Sequence, residues 1–339
     1  MDLTDSRSVN LSYSKALMEA LTSLGLPIPM RASKVLSQIS RQERVPIHLQ
    51  ERLWKAIIDS YPEPLLGIKL GLAMQTNHIG LVGHLLMTQK DLQATIDQLV
   101  SYHPLLGEGG HFEVHRDTFS VSLCYYPNFI NFAQTRVETI LAACIAQTQA
   151  LTGGKFQGCK LLLSYPAPSL ALQQQYQELL AIPVQFNAQV SAILFPVKDL
   201  AIPLVAADKD VVSCLKPKAD ALLQAFEKNS FHRKVTLLLQ QTPYLTREQV
   251  AQHLCLSTRH LGRKLQEEHT CFRTVQDEVR SYYARQWLVQ GEKSNSDIAI
   301  ALGYSDESAF GKAFKRWEGI SPSLYNKRQK RGSKTTIDI

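Results

Sequence analysis

The sequence predicts an α+β domain followed by an all-α domain in which two helix-turn-helix motifs are joined by a linking helix. Three observations support this. Strand-like alternation is confined to a mixed section after residue 110, residues 232–339 carry apolar residues at helix spacing throughout, and one short motif occurs twice among them. With 339 residues, 45% apolar and 20% charged, the chain can hold two or three domains of about 100–200 residues each. No run approaches the 18 or so apolar residues that a membrane span needs, and the N-terminus has no continuous apolar segment of the secretory kind, so a cytoplasmic protein is expected.

The elements follow in order. Leu49, Leu53, Ile57 and Ile58, then Leu92, Ile96, Leu99 and Val100, recur at helix spacing, so the first hundred residues read as mainly helical. HFEVHRDTFSVSLCYYP alternates at period two and reads as a hairpin turning at Arg116-Asp117. Ala133 to Leu151 is again helical and is stopped by Gly153-Gly154. The segments KLLLSYPAP, ALQQQYQELL and VQFNAQVSAILFPVKDL read as strand, helix and strand pair. Together residues 1–205 form the expected first domain, α+β with helices before a small sheet. Residues 206–231, where proline and mixed charge give way to a short helical pattern, are taken as a linker, with about seven short helices beyond it. Residues 329–339 are taken as a basic flexible tail.

Charge separates the two parts. Residues 1–231 contain 19 Lys+Arg and 19 Asp+Glu, whereas residues 232–339 contain 18 and 11, so the entire excess of +7 is C-terminal. A neutral large part joined to a basic small part suggests that the latter meets a polyanion. Within it, REQVAQHLCLSTRHLGRKLQEE has the layout of a helix-turn-helix: Val250 and Leu254 face inward, Ala251 permits a close crossing, Cys255-Leu256-Ser257 turns the chain, and Leu261 and Leu265 anchor the second helix. The outward face of that helix carries Arg259, His260, Arg263 and Lys264, as a helix in a major groove requires. NSDIAIALGYSDESAFGKAFKRWEG repeats the layout with Ile298, Ala299, Leu302, a turn at Gly303, and Phe310 and Phe314 as anchors. Its outward face carries Glu307, Ser308, Gly311, Lys312, Lys315 and Arg316. Between the two, Phe272, Val275, Val279, Tyr283 and Trp287 recur at helix spacing, implying one rigid connector that lets a single chain enter two successive major grooves about 34 Å apart.

On these residues, 234–328 resemble the DNA-binding domain of the AraC/XylS family of bacterial transcription regulators. The match runs through Val250-Ala251, STRHLGRKL from Ser257 to Leu265, Arg280 and Ala284, IAIALGY from Ile298 to Tyr304, FGKAFKR from Phe310 to Arg316, and GISPSLY from Gly319 to Tyr325. The resemblance implies DNA contacts from Ser257, Thr258, Arg259, His260, Arg263 and Lys264 in the first motif. In the second it implies Asp306, Glu307, Ser308, Gly311, Lys312, Lys315 and Arg316. Gly262 and Gly311 offer no side chain at base-facing positions, and Thr270 stands where the family usually has glycine. Residues Leu17 to Leu204, with YPEPLLGIKLGLAMQ, LLSYPAP and a closing LAIPL, are similar to the arabinose-binding-like effector domain of regulators of the ornithine-utilisation type. That similarity implies that residues 1–205 are an effector-binding or oligomerisation domain, a sensor that self-associates as a homodimer, but it names no effector; the AraC/XylS resemblance implies activation through RNA polymerase, with repression at some sites equally compatible. The scarcity of charge in residues 130–200 favours an apolar or amphipathic ligand.

Other patterns lead to simpler readings. His111, Glu113 and His115 share one strand face that reads as wet rather than metal-binding. Gly67, Gly71, Gly80 and Gly83 form no phosphate cradle and read as close helix packing. Six dispersed cysteines lack a metal or disulfide pattern, and His78, His84 and His103 lie in separate elements. No nucleophile motif occurs, so neither catalysis nor a cofactor is expected. The rival readings are an enzyme of repair type fused to a DNA-targeting module, which needs an activated thiolate among Cys124, Cys144, Cys159 and Cys214, and an architectural DNA binder without an effector.

Overall fold

A computed structural model describes residues 7–40, 43–75, 79–129, 131–156, 158–229, 231–268, 270–291 and 293–326. The basic segment 329–339, with Lys330, Arg331 and Lys334, and His78 lie outside the described residues. The chain divides into two compact units, Arg7–Gln224 and Ala225 onward.

The first unit is α+β. Strands β1 (Ser8–Asn10) and β2 (Arg44–Pro46) pair antiparallel, with Val9 opposite Val45. Around them pack α1 (Leu11–Ser23), α2 (Met30–Ile39), α3 (Ile47–Ser60) and α4 (Leu66–Ala73). Their shared core holds Leu17, Leu21, Val35, Leu53, Trp54 and Ile57. This strand pair has no counterpart in the sequence reading, because three-residue strands are too short for an alternation to register.

Next come α5 (Gly80–Met87), α6 (Leu92–Leu106), β3 (Gly110–Arg116), β4 (Ser120–Pro127), α7 (Ala133–Leu151), β5 (Lys160–Leu162), α8 (Leu170–Leu180), β6 (Val184–Gln185) and β7 (Ser191–Pro196). The five later strands form one sheet in the order β3-β4-β7-β5-β6, antiparallel except for the parallel pair β5 and β6. The β3–β4 hairpin turns over Asp117 to Phe119, where the Asp117 carboxylate accepts from the Phe119 and Ser120 amides, both at 2.7 Å. Register places Phe112 opposite Tyr125, Leu123 opposite Ile193, and Val121 opposite Phe195. That face packs on Leu92 and Ile96 of α6 and on Leu141, Ala142 and Ile145 of α7.

Gly67 and Gly71 let α4 lie directly on α7. A Cβ added at either would stand 2.4 Å from a backbone carbonyl, of Thr135 or Thr139 respectively. Gly80 has a different role, since its φ of +66° starts α5 in a conformation that glycine tolerates best.

Residues expected as a linker are largely helical. α9 runs 21 residues, Lys209–Asn229, with Pro217 in its interior, and the division between compact units falls inside it.

The second unit is helical throughout its described residues, with α10 (Phe231–Gln241), α11 (Arg247–His253), α12 (Thr258–Glu267), α13 (Phe272–Gln290), α14 (Asn295–Ala301) and α15 (Glu307–Glu318). It has two cores. Val235, Leu239, Val250, Leu261, Leu265, Val275 and Val279 make the first, and Ala284, Leu288, Ile298, Leu302, Phe310 and Phe314 the second, with Tyr283 packing against both. No described helix is long and apolar enough to cross a membrane.

Candidate nucleic-acid interface

The two motifs are built alike down to single hydrogen bonds. Helix α11 starts on a capping box between Thr246 and Gln249, and α14 on one between Ser294 and Asp297. After α11 the Leu256 amide donates to the Ala251 carbonyl at 2.8 Å; after α14 the Tyr304 amide donates to the Ala299 carbonyl at 2.9 Å. Both turns pass through positive φ, at Cys255 (+55°) and Gly303 (+76°). The second helix of each pair then begins on a capped residue. Ser257 accepts from the His260 amide at 3.2 Å, and Asp306 from the Ala309 amide at 2.7 Å. The bond from the Ala309 amide, with another from the Ser305 hydroxyl, lowers the Asp306 carboxyl below its ordinary value.

The long helix α13 holds the two motifs together. Gln276 donates to the Leu245 carbonyl at 2.8 Å and Tyr283 to the Gln240 carbonyl at 2.7 Å, which secures the first motif. Arg285 and Ser281 both reach Glu318 at 2.9 Å, which secures α15. Arg280 serves both motifs: its Nε donates to the Pro243 carbonyl at 3.2 Å while its guanidinium lies 4.9 Å from the centroid of the Tyr304 ring. At 1.5 Å per residue the 19 residues of α13 extend about 28 Å.

On α12, Arg259 and Arg263 are exposed, while Thr258, His260, Gly262 and Lys264 are partly covered. Arg263 lies 3.6 Å from Glu267 and 3.3 Å from the His260 ring, and Lys264 lies 3.4 Å from the same Glu267. These are solvent-exposed pairs within one helix, worth well under about 1 kcal/mol, and a phosphate or base edge can displace them. On α15, Glu307, Ser308, Lys312, Lys315 and Arg316 are exposed. Glu307 accepts from Asn295 at 3.1 Å and Arg316 pairs with Asp277 of α13 at 2.9 Å, so both have protein partners where the sequence suggested open reading positions.

The two glycines differ. Space around Gly311 is open, whereas a Cβ on Gly262 would meet the Arg247 guanidinium at 2.2 Å. Arg247, from the start of α11, donates to the Thr258 carbonyl at 2.9 Å and lies over Gly262, bringing a further cation to α12. Sequence reasoning missed it, although a glycine inside an otherwise strong helix hints that another group lies across it.

The other expected patterns resolve simply. Burial acts to raise the Glu113 carboxyl, but hydrogen bonds and charge from His111 (3.0 Å) and His115 (3.4 Å) outweigh it and hold it at about 2. Among the described residues no group of His, Cys, Asp and Glu is arranged to hold a metal. All six cysteines are free, and burial pushes the Cys124, Cys144 and Cys159 thiols up to about 12, the reverse of what a nucleophile needs.

The chain is similar to known transcription regulators. The arabinose-binding domain of AraC transcription regulators, N-terminal, matches residues 30–204, and a helix-turn-helix domain matches residues 250–328. The ornithine utilization regulator of Pseudomonas aeruginosa is 27% identical over 268 residues, covering 78% of either chain. The HTH-type transcriptional regulator VqsM of the same organism is 23% identical over 277 residues, 76% of this chain and 82% of that one. The crystal structure of transcriptional regulator CdpR from Pseudomonas aeruginosa aligns over 88% of this chain and 96% of its own, at 23% identity and a TM-score of 0.45. With the first of these domains spanning more than half of the chain and the second spanning the paired motifs, the protein belongs to the AraC family of transcription regulators.

Proposed function

We propose that the protein regulates transcription in the bacterial cytoplasm by gripping promoter duplex through α12 and α15 together. The observation that carries this reading is the repetition of cap, turn and anchor in two motifs braced on one helix, each presenting exposed cations. In it, Ser257 and Asp306 fix the N-termini of the reading helices. Arg259, Arg263 and Lys312 address base edges, and Lys264, Lys315 and Arg247 address phosphate, with Thr258, His260, Ser308 and the open space at Gly311 completing the two faces. Glu307 and Arg316 contribute after exchanging their protein partners. Activation follows from contact with RNA polymerase, and the first unit senses a small molecule and self-associates. A ligand controls such a protein only by binding one state better than another.

Arg259→Ala and Lys315→Ala separate readout from charge. The first should relax preference at one base pair at a cost of about 1–3 kcal/mol. The second should weaken all duplexes alike and reduce the salt slope by about one unit. Competition binding to a selected site and its single-base variants, repeated across salt concentrations, checks both. Identical behaviour of the two variants would remove the assignment of α12 as a reading helix.

A further inference from the structure

Inside the first unit, between the strand pair with its helices and the larger sheet, lies a cavity of about 170 Å³. Its walls are hydrocarbon almost throughout, with Leu92, Ile96 and Leu99 on α6, Phe112 and Leu123 on the sheet, and Ile140 on α7. Among its described lining residues there is no Asp or Glu, and the only permanent cation is Arg136.

Arg136 is the unusual group. It is 3% exposed, its guanidinium stacks 3.5 Å from the centroid of the Phe129 ring, and its Nη1 is buried without a hydrogen-bond partner. The nearest carboxylate, on Glu51, stands 4.0 Å away, beyond hydrogen-bond reach. Glu51 thus answers the charge at a distance but leaves the Nη1 donor unbonded, and a buried donor without an acceptor is costly, so the site favours an acceptor brought by a ligand. The phenols of Tyr13 and Tyr125 also line the cavity, close enough to Arg136 to feel its charge, and offer further donors. His103, set edge-on to Phe112 at 5.0 Å, adds no second cation, because burial pushes its imidazole down to about 3.

We propose that this cavity is the effector site and that it takes an amphipathic monocarboxylate, with the acid on Arg136 and the apolar part among the α6 and sheet side chains. One cation calls for one negative charge. The volume is comparable to the roughly 150 Å³ that accommodates benzene, so the apolar part is an aryl ring or a medium-length aliphatic chain. A diamino acid would find no carboxylate to receive its ammonium groups among the described lining residues. The proposal rests on the sensor reading of the first unit and makes it chemically specific.

Thermal shift and calorimetric titration of the full chain test it, with octanoate and phenylacetate as probes against octan-1-ol, 2-phenylethanol and ornithine. The acids should bind about tenfold or more tightly than the matching alcohols, and ornithine should not bind. Arg136→Met should abolish the preference for the acid while leaving the alcohols unchanged. Should that variant fold poorly, Cys144→Phe, which fills the cavity and leaves Arg136 in place, should lose both classes. Equal binding of acids and alcohols, or binding of neither by a folded wild-type chain, overturns the proposal. Repeating DNA binding with and without bound acid tests regulation separately: unchanged DNA affinity with tight acid binding sinks the effector role and leaves the DNA-binding reading intact.

Discussion

Cys255 and Gly303 occupy the same place in the two motifs, yet only one is the residue that positive φ favours. Holding cysteine at +55° costs about 1 kcal/mol, which glycine would avoid, although glycine also loosens the unfolded chain. Cys255→Gly should therefore change stability little, by a gain of up to about 1 kcal/mol. Gly303→Ala should destabilise by about 1–3 kcal/mol, because a Cβ there is both strained and 2.6 Å from the Tyr244 Cβ. Chemical denaturation of both variants checks the contrast, and equal effects would contradict the common turn. A second residue-scale test concerns Glu138, 1% exposed, whose carboxyl is raised above 4.5 by burial despite hydrogen bonds from Tyr165, Tyr176 and Gln134. The folded state therefore holds this proton where the unfolded chain has released it, so stability from this group falls as pH rises above 4.5 toward the folded value. Glu138→Gln should remove that slope. Urea midpoints across pH 4 to 8 that keep the same slope in variant and wild type would refute the buried, proton-holding carboxyl.

At the scale of elements, the contact of α4 with α7 depends on two missing side chains. Gly71→Ala would press a Cβ against the Thr139 carbonyl, where no flexible group can yield, and should cost about 1–3 kcal/mol of stability in the first unit. A wild-type melting temperature would mean that the helices are less close than described. The glycines are legible as packing from the sequence because no phosphate-binding pattern accommodates them, and the β3–β4 hairpin because polar and apolar residues alternate from His111 to His115 and from Ser120 to Leu123. The β1–β2 pair was illegible because only Val9 and Val45 mark it, 36 residues apart. Helix α9 reads as a linker because exposed charge and Pro217 mask a helical pattern in which, among the described side chains, Ala219 alone is fully buried. On α12 and α15, periodicity identifies the exposed face. It gave no hint that Asn295 would hold Glu307 or that Asp277 would hold Arg316, since those partners come from other helices.

For the whole molecule, legibility followed the range of the interactions. In each motif the caps, turn and anchors lie within about twenty residues of one another, from Thr246 to Leu265 and from Ser294 to Phe314, so the paired motifs are legible in the chain. The described lining of the cavity is drawn from residues 9 to 195 and its permanent cation from the first turn of α7, and no local pattern signals such convergence. The two compact units have separate cores. The central claim is that both reading helices engage one duplex. Hydroxyl-radical footprinting of the full chain on a fragment selected from genomic DNA tests it most directly. The account predicts two protected stretches on one side of the duplex, their centres about 10 base pairs apart, with substitutions on α12 clearing one and substitutions on α15 the other. A single protected stretch, or protection no stronger than on scrambled DNA, would contradict it.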